Sequence, residues 1–121
     1  MIQLNYRDSK PIYEQIKDGL RRLMITGVMQ PGEKLPSVRE MASSLSINPN
    51  TIQRAYRELE AEGYTYSVAG KGSFVSGKQD ISDGRTAELL KKFDEVAREL
   101  MYVNETAASL AKRLADIESN L

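Results

Sequence analysis

Hydrophobic side chains recur at helical spacing in three separate stretches of the first 63 residues. The stripe of the first stretch comprises Ile12, Ile16, Leu20, Leu23 and Met24. The stripe of the second comprises Val38, Met41, Ala42 and Leu45, and that of the third comprises Ile52, Ala55, Tyr56 and Leu59. Because such spacing places the apolar residues on one face of an α-helix, the pattern predicts three amphipathic helices. Pro11 would open the first helix, with Ser9 as its cap, and Gly27 would end it.

The second and third predicted helices carry start and stop signals. Ser37 and Glu40 have the S-x-x-E spacing of a capping box. Asn48 is a favourable N-cap for the third helix, and Gly63 is a favourable stop. Only residues 46–47 remain between the two helices. Short amphipathic helices joined by so short a link predict a helix-turn-helix, whose second helix enters the major groove of DNA.

The third predicted helix has a polar side opposite its apolar stripe. With successive residues about 100° apart around the axis, this side carries Asn50, Gln53, Arg54 and Arg57. Amide and guanidinium groups pair bidentately with adenine and guanine edges, and each pair contributes about 1–3 kcal/mol of base discrimination. Thr51 lies with Asn50 in the first turn, whose free amides favour phosphate. The side is interpreted as a DNA-reading surface, and an ordinary solvated helix face is the alternative.

After Gly63 the hydrophobic period changes from 3.6 to 2. Tyr64, Tyr66 and Val68 alternate with Thr65 and Ser67, residues 69–72 turn the chain, and residues 73–76 return. This pattern predicts a β-hairpin. A hairpin directly behind a recognition helix is typical of the wing of a winged helix, and its tip at Gly70, Lys71 and Gly72 could approach the DNA backbone closely. A plain hairpin turn is the alternative, and the glycines do not have Walker A spacing.

A polar stretch at residues 79–84 is expected to be a linker, and two more helices are predicted to follow it. The apolar positions of the first are Leu89, Leu90, Phe93, Val96, Ala97 and Leu100. The second, with Asn104 as its cap after a break near Tyr102, carries Ala107, Leu110, Leu114, Ile117 and Leu121. Because two such helices cannot bury both stripes alone, dimerisation is the favoured interpretation, and a helical extension that only completes the monomer core is the alternative. The dimerisation residues would be Leu89, Phe93, Val96, Leu100, Leu110, Leu114 and Ile117.

Composition narrows the classes of function. The 121 residues include no cysteine and no histidine, which removes disulfides, the usual catalytic triads and most zinc sites. No apolar run approaches the roughly 18–20 residues of a membrane span, and the N-terminus lacks a signal-peptide pattern. We expect a soluble cytoplasmic protein that is not an enzyme and holds no cofactor or metal. The net charge is zero, but residues 1–78 carry eleven Lys and Arg against eight Asp and Glu, which weakly supports a DNA partner.

Three motifs follow one another along the chain. They are PIYEQI at residues 11–16, PGEKLPSVRE at residues 31–40 and GKGSFV at residues 70–75. Together they resemble the signatures of GntR-type bacterial winged-helix transcription regulators. NPNT at residues 48–51, with RAY at residues 54–56, is similar to the YtrA-like subfamily in particular. The resemblance implies a DNA-binding domain at residues 10–78 and a helical dimerisation region at residues 85–121. It also implies a homodimer on a palindromic double-stranded operator, commonly acting as a repressor.

The resemblance further implies which residues contact DNA. The expected positions are Ser37, Arg39, Asn48, Asn50, Thr51, Gln53 and the wing tip at residues 70–72. Many family members carry arginine where this chain has Pro49 and Gln53. Since Pro49 cannot donate to a base, more of the reading is expected from Arg39, Asn50, Gln53 and Arg54. Arg39 could instead simply pair with Glu40 or Glu62 at the surface.

The sequence therefore predicts a mainly α protein. Three helices and a β-hairpin wing would form a winged helix-turn-helix, followed by a two-helix dimerisation tail. That tail is too short to enclose a typical ligand pocket of ~300–1,000 Å³ within one chain, so any small-molecule effector would sit at the dimer interface. The competing class is a winged-helix protein-interaction module that binds an acidic partner protein. The sequence leaves the operator, the effector and an activator role open.

Overall fold

The computed structural model describes residues 2–121 and divides the chain into two compact units. The first unit ends at Ser82 and the second runs from Asp83 to Leu121. In the first unit the elements are α1 (Ile12–Ile25), α2 (Val38–Leu45), α3 (Pro49–Ala61), β1 (Thr65–Val68), β2 (Gly72–Val75) and a 3₁₀ turn (Lys78–Asp80). In the second unit they are α4 (Asp83–Tyr102) and α5 (Ala107–Ser119). The predicted mainly α, winged helix-turn-helix fold is confirmed.

The core of the first unit lies where the three predicted apolar stripes meet. Its fully buried large side chains are Ile16, Leu20, Leu35, Ile52 and Leu59. Other stripe residues are partly buried against this core, namely Ile12, Leu23, Met24, Val38 and Leu45. Because burial of one large apolar side chain contributes roughly 1.5–3 kcal/mol, this shared core is what holds α2 and α3 at a fixed corner.

Local signals fix the helix ends in the first unit, with one exception. Ser37 Oγ accepts from the Glu40 amide at 3.1 Å, and the Glu40 carboxylate accepts from the Ser37 amide at 3.4 Å, so the predicted capping box is confirmed. Asn48 caps α3 as predicted. The prediction of Ser9 as the cap of α1 is wrong: Pro11 occupies the N-cap position, and its own carbonyl accepts from the amides of the first turn.

The predicted hairpin forms, and its outer part is exposed. Strands β1 and β2 pair antiparallel, with Thr65 opposite Val75 and Tyr66 opposite Phe74. Thr65 and Val75 are buried, whereas Tyr66 remains 44% exposed and stacks on Phe74 with ring centroids 5.6 Å apart. Only the base of the hairpin therefore reaches the core. In its outer part, Tyr66 and Phe74 pack against each other instead.

The predicted linker at residues 79–84 includes parts of two regular elements. It contains the end of the 3₁₀ turn and the first two residues of α4. The Ser82 amide donates to the Glu62 carbonyl at 2.8 Å, so the end of the first unit lies against the C-terminus of α3. Gly63, which has a φ of +90°, makes the approach possible because a Cβ there would overlap the Asp80 carbonyl oxygen.

The second unit contains the two predicted helices, with a correction at the start of α5. The prediction of Asn104 as its cap is wrong. Thr106 is the cap: Thr106 Oγ1 accepts from the Ser109 amide and Ser109 Oγ accepts from the Thr106 amide, both at 3.1 Å. Asn104 instead takes a φ of +80° just after α4, which helps to turn the chain. Leu121 lies beyond the end of α5. Within residues 2–121 no helix is long and apolar enough to cross a membrane.

Candidate nucleic-acid interface

Helix α3 buries one side and exposes the other. The buried residues are Ile52, Ala55, Tyr56 and Leu59, and the exposed residues include Asn50, Gln53, Arg54 and Arg57. The structure therefore brings the predicted polar residues together on one solvent-facing side, which we call the reading side of α3. Thr51 is half-buried at its edge.

A buried phenol fixes the reading side relative to the segment before α2. Tyr56 Oη donates to the Pro36 carbonyl at 2.7 Å. Burial raises the pKa of Tyr56 to about 12, so the phenol stays protonated and remains a donor at neutral pH. This contact ties α3 to the start of α2, where two further predicted DNA-binding residues lie.

Two of the predicted DNA-binding residues already use a side-chain atom within the fold. Ser37 Oγ is occupied in the capping box of α2. Asn48 Oδ1 accepts from the Asn50 amide at 2.8 Å, which caps α3 and leaves the Asn48 amide nitrogen as its remaining donor. Their first role is therefore to fix the helix starts, and any DNA contact is restricted to the atoms that capping leaves free.

Arg39 and Arg57 are exposed, and neither makes an ion pair or side-chain hydrogen bond within residues 2–121. The proposed pairing of Arg39 with Glu62 does not form, because Lys17 and Arg21 occupy the Glu62 carboxylate. Pairing with Glu40 does not form either. A guanidinium with all its donors free is available for bidentate contact with a guanine edge or a phosphate.

The wing tip lies beside the start of α2. Gly70 and Gly72 both have positive φ, and the Lys71 amide donates to the Val68 carbonyl at 2.9 Å, which closes the turn. The Lys71 side chain is exposed. A small crevice of about 250 Å³ is lined by residues of the wing and by Ser37, Val38 and Tyr56. The predicted wing contact and the predicted contacts of α2 therefore belong to one continuous surface.

Behind the reading side, ion pairs join α3 to α1. Lys17 Nζ donates to Glu58 Oε1 at 2.7 Å and to Glu62 Oε2 at 2.9 Å, and Arg21 Nη1 donates to Glu62 Oε1 at 2.6 Å. Burial by itself lowers the pKa of Lys17, but these hydrogen bonds outweigh it and raise the pKa above its ordinary value. The hydrogen bond from Lys17 lowers the pKa of Glu58. The pairs therefore stay ionised at neutral pH and fix the rotation of α3 about its axis.

Arg54 differs from Arg39 and Arg57 because its guanidinium is held in place. Its Nε donates to Glu58 Oε2 at 3.1 Å, and its Cζ lies 3.7 Å from the centroid of the Tyr13 ring. Sequence reasoning placed Arg54 on the reading side but missed both contacts. Tyr13 lies 41 residues earlier in the chain, whereas Glu58 lies only four residues later on the same helix. The available signal for the contact with Glu58 was the four-residue spacing, which places opposite charges side by side on a helix. For the ion pairs with α1, the signal was the spacing of Lys17 and Arg21 on α1 and of Glu58 and Glu62 at the end of α3, four residues in each case.

These features agree with comparisons to known proteins. Residues 12–75 match the family of bacterial regulatory proteins called the gntR family. The HTH-type transcriptional repressor YtrA of Bacillus subtilis (strain 168) is 35% identical over 123 residues, which span 100% of this chain and 95% of the relative. A crystal structure described as a transcriptional antiterminator from Listeria monocytogenes EGD-e has a TM-score of 0.79 and 38% identity, covering 98% of this chain and 90% of that one.

A second similar structure contains DNA. It is the DNA-binding domain of AraR in complex with operator ORR3, with a TM-score of 0.55, 30% identity, and coverage of 61% of this chain and 89% of that one. The family match covers more than half of the chain, and the B. subtilis repressor matches nearly end to end. The protein is therefore a transcription regulator of the gntR family, similar to YtrA.

Proposed function

We propose that this regulator is a dimeric repressor that occludes a palindromic operator. Arg39 and Arg57, together with Asn50 and Gln53 on the reading side of α3, would read base edges in each half-site. Lys71 at the wing tip would add sequence-independent affinity for the backbone. The observation that carries the proposal is the pair of exposed arginines without intramolecular partners, on a helix-turn-helix whose relatives include a repressor and an operator-bound domain.

The apolar residues of α4 and α5 support the dimeric part of the proposal. Leu89, Phe93, Val96, Leu114 and Ile117 are all between 42% and 59% exposed. Exposed apolar surface of this extent on consecutive helices is typical of a protein–protein interface. A two-fold dimer would present two recognition helices to half-sites about one DNA turn apart, which matches a palindrome. A regulator acting on chromosomal DNA in this way would work in the cytoplasm.

The sharpest test of base reading compares Arg57→Ala with Lys71→Ala. The operator is first selected from a random pool of duplexes with the unaltered protein. Arg57→Ala is expected to weaken binding to the selected duplex by about 1–3 kcal/mol and to shuffled DNA much less. Lys71→Ala is expected to weaken both alike and to lower the slope of log K against log salt by about 1. Fluorescence anisotropy titrations at several salt concentrations measure both quantities.

Arg22→Ala is the matched control for this test. Arg22 is an exposed arginine of the same unit, on α1, and it makes no ion pair within the described chain. Its replacement removes the same charge and should leave the preference for the selected duplex unchanged. Equal losses on selected and shuffled DNA for Arg57→Ala would contradict base reading by this residue, and no enrichment at all in the selection would contradict the proposed function.

The dimer is tested by Phe93→Ala. Phe93 lies in the middle of the apolar stripe of α4 and is 48% exposed in the single chain. If a partner covers it, two phenyl groups are lost per dimer, and the dissociation constant of the dimer should rise by about 10- to 100-fold. Tyr102→Ala is the control, because Tyr102 lies nine residues later and so points to the opposite side of α4. Sedimentation velocity over a concentration series would show a monomeric unaltered protein if the proposal were wrong.

A further inference from the structure

We infer that Tyr13 is a positioning residue for DNA binding, which holds the Arg54 guanidinium as a clamp for a backbone phosphate at the edge of the reading side. This inference rests on the proposed function. The juxtaposition that supports it is a flat cationic group on α3 stacked on an aromatic ring of α1, with a carboxylate fixing its third nitrogen.

The stack leaves the Arg54 guanidinium with a defined set of free donors. Nε is used by Glu58 Oε2 at 3.1 Å, and the Tyr13 ring covers one face with its centroid 3.7 Å from Cζ. The four N–H groups on the two Nη atoms lie in the guanidinium plane and make no hydrogen bond or ion pair within residues 2–121. An in-plane pair of N–H donors matches two oxygens of one phosphate. The group is thus fixed in direction before any ligand arrives.

Helix α1 holds Arg54 in place in two ways, directly through Tyr13 and indirectly through Glu58. Tyr13 lies in the first turn of α1, and Glu58 is itself held by Lys17 Nζ at 2.7 Å. A guanidinium held on one face by a ring and at Nε by a carboxylate cannot extend freely along the groove floor, as a base-reading arginine does. It sits at the flank of α3 nearest to α1, and the walls that flank a helix in the major groove are the phosphate backbones. The position of Arg54 and its fixed side chain therefore favour contact with a backbone phosphate over contact with a base edge.

Pre-organisation gives Tyr13 an effect on affinity without any contact with DNA. Arginine loses side-chain freedom when it binds, and that cost is avoided when the free protein already holds the bound rotamer. The side chain of Arg54 is 54% exposed, so the stack lies at the surface and the phosphate can reach it. Because a phosphate has the same geometry at every base step, the contribution should be equal on all duplexes.

The test uses Tyr13→Leu, which keeps apolar cover on α1 but removes the ring face. Tyr13→Leu in the full chain is expected to weaken binding about fivefold, or ~1 kcal/mol at 1.4 kcal/mol per tenfold, to both the selected operator duplex and a shuffled duplex. Arg54→Ala should weaken both duplexes at least as much and lower the salt slope by about 0.9. In the Arg54→Ala background, Tyr13→Leu should have less than a twofold further effect, roughly the additivity error.

Tyr13→Phe separates stacking from the other contact of the phenol. Tyr13 Oη donates to Glu14 Oε1 at 3.2 Å, and phenylalanine loses this bond but keeps the ring. Binding equal to that of the unaltered protein supports the stack. The inference is overturned if Tyr13→Leu binds normally, if it weakens only the selected duplex, or if its effect persists undiminished without Arg54, which would indicate a general structural role. If the unaltered protein binds neither duplex, the proposed function itself fails.

Discussion

Replacing Glu62 with alanine is expected to lower the free energy of unfolding by about 3–5 kcal/mol. Its carboxylate accepts from Lys17 Nζ at 2.9 Å and from Arg21 Nη1 at 2.6 Å, and both cationic residues are more than nine-tenths buried. The alanine variant keeps the two cations out of water and leaves them only the partly exposed Glu58 and Asp18. The expected loss is large because two buried positive charges would lose most of their compensating negative charge. The intact ion pairs themselves add little to stability compared with apolar residues in the same place.

Glu60→Ala is the matched control for this prediction. Glu60 lies two residues earlier in the last turn of α3, is exposed, and forms no ion pair within residues 2–121. Its replacement should change the free energy of unfolding by no more than about 0.5 kcal/mol. Urea denaturation followed by circular dichroism measures the free energy of unfolding of both variants. The protein concentration is kept the same, and the comparison requires that the free energy falls with urea at the same slope in both. A Glu62→Ala variant as stable as Glu60→Ala would show that water reaches Lys17 and Arg21 and replaces the carboxylate.

The elements of the fold could be predicted from sequence because their signals are local. The stripe that contains Ile52 and Leu59 defines the buried side of α3 without knowledge of what covers it. The Ser37–Glu40 box marks the start of α2 because its two bonds are made within four residues. The same local rules failed where two candidates compete, as at the start of α5, where Thr106 with Ser109 satisfies two amides and Asn104 turns the chain after α4.

The sequence predicted which residues of α3 share the candidate site, but not which of their side chains are held by other parts of the protein. Helical periodicity placed Arg54 and Arg57 on the same side of α3, and both are exposed there. Whether a guanidinium is free or held depends on which helix lies beside it, and that depends on the packing of α1 against α3. Tyr13 could be recognised as Arg54's neighbour only once that packing was known. Helical periodicity therefore identifies the exposed side of α3. Tertiary contacts decide which of its side chains are free and which are already held in one orientation.

Gly63→Ala is expected to lower the free energy of unfolding by roughly 2–5 kcal/mol, from two separate causes. The first is backbone strain, since a φ of +90° costs an L-residue about 1–2 kcal/mol. The second is overlap, because the new Cβ would lie far inside the contact distance of the Asp80 carbonyl oxygen and would also crowd Ile81 Cα. Relieving that overlap moves the backbone of residues 80–82 and breaks the bond from the Ser82 amide to Glu62, which adds about 1–3 kcal/mol.

Gly27→Ala separates the two causes. Gly27 stands just after α1 as Gly63 stands just after α3, its φ is +82°, and a Cβ there would meet nothing within 4 Å. Gly27→Ala should therefore cost only the strain, about 1–2 kcal/mol, in the same urea titration. The difference between the two variants measures how tightly residues 80–82 are held against the end of α3. If both variants lower the free energy of unfolding equally, residues 80–82 move aside without loss of stability, and Gly63 is required only for its positive φ.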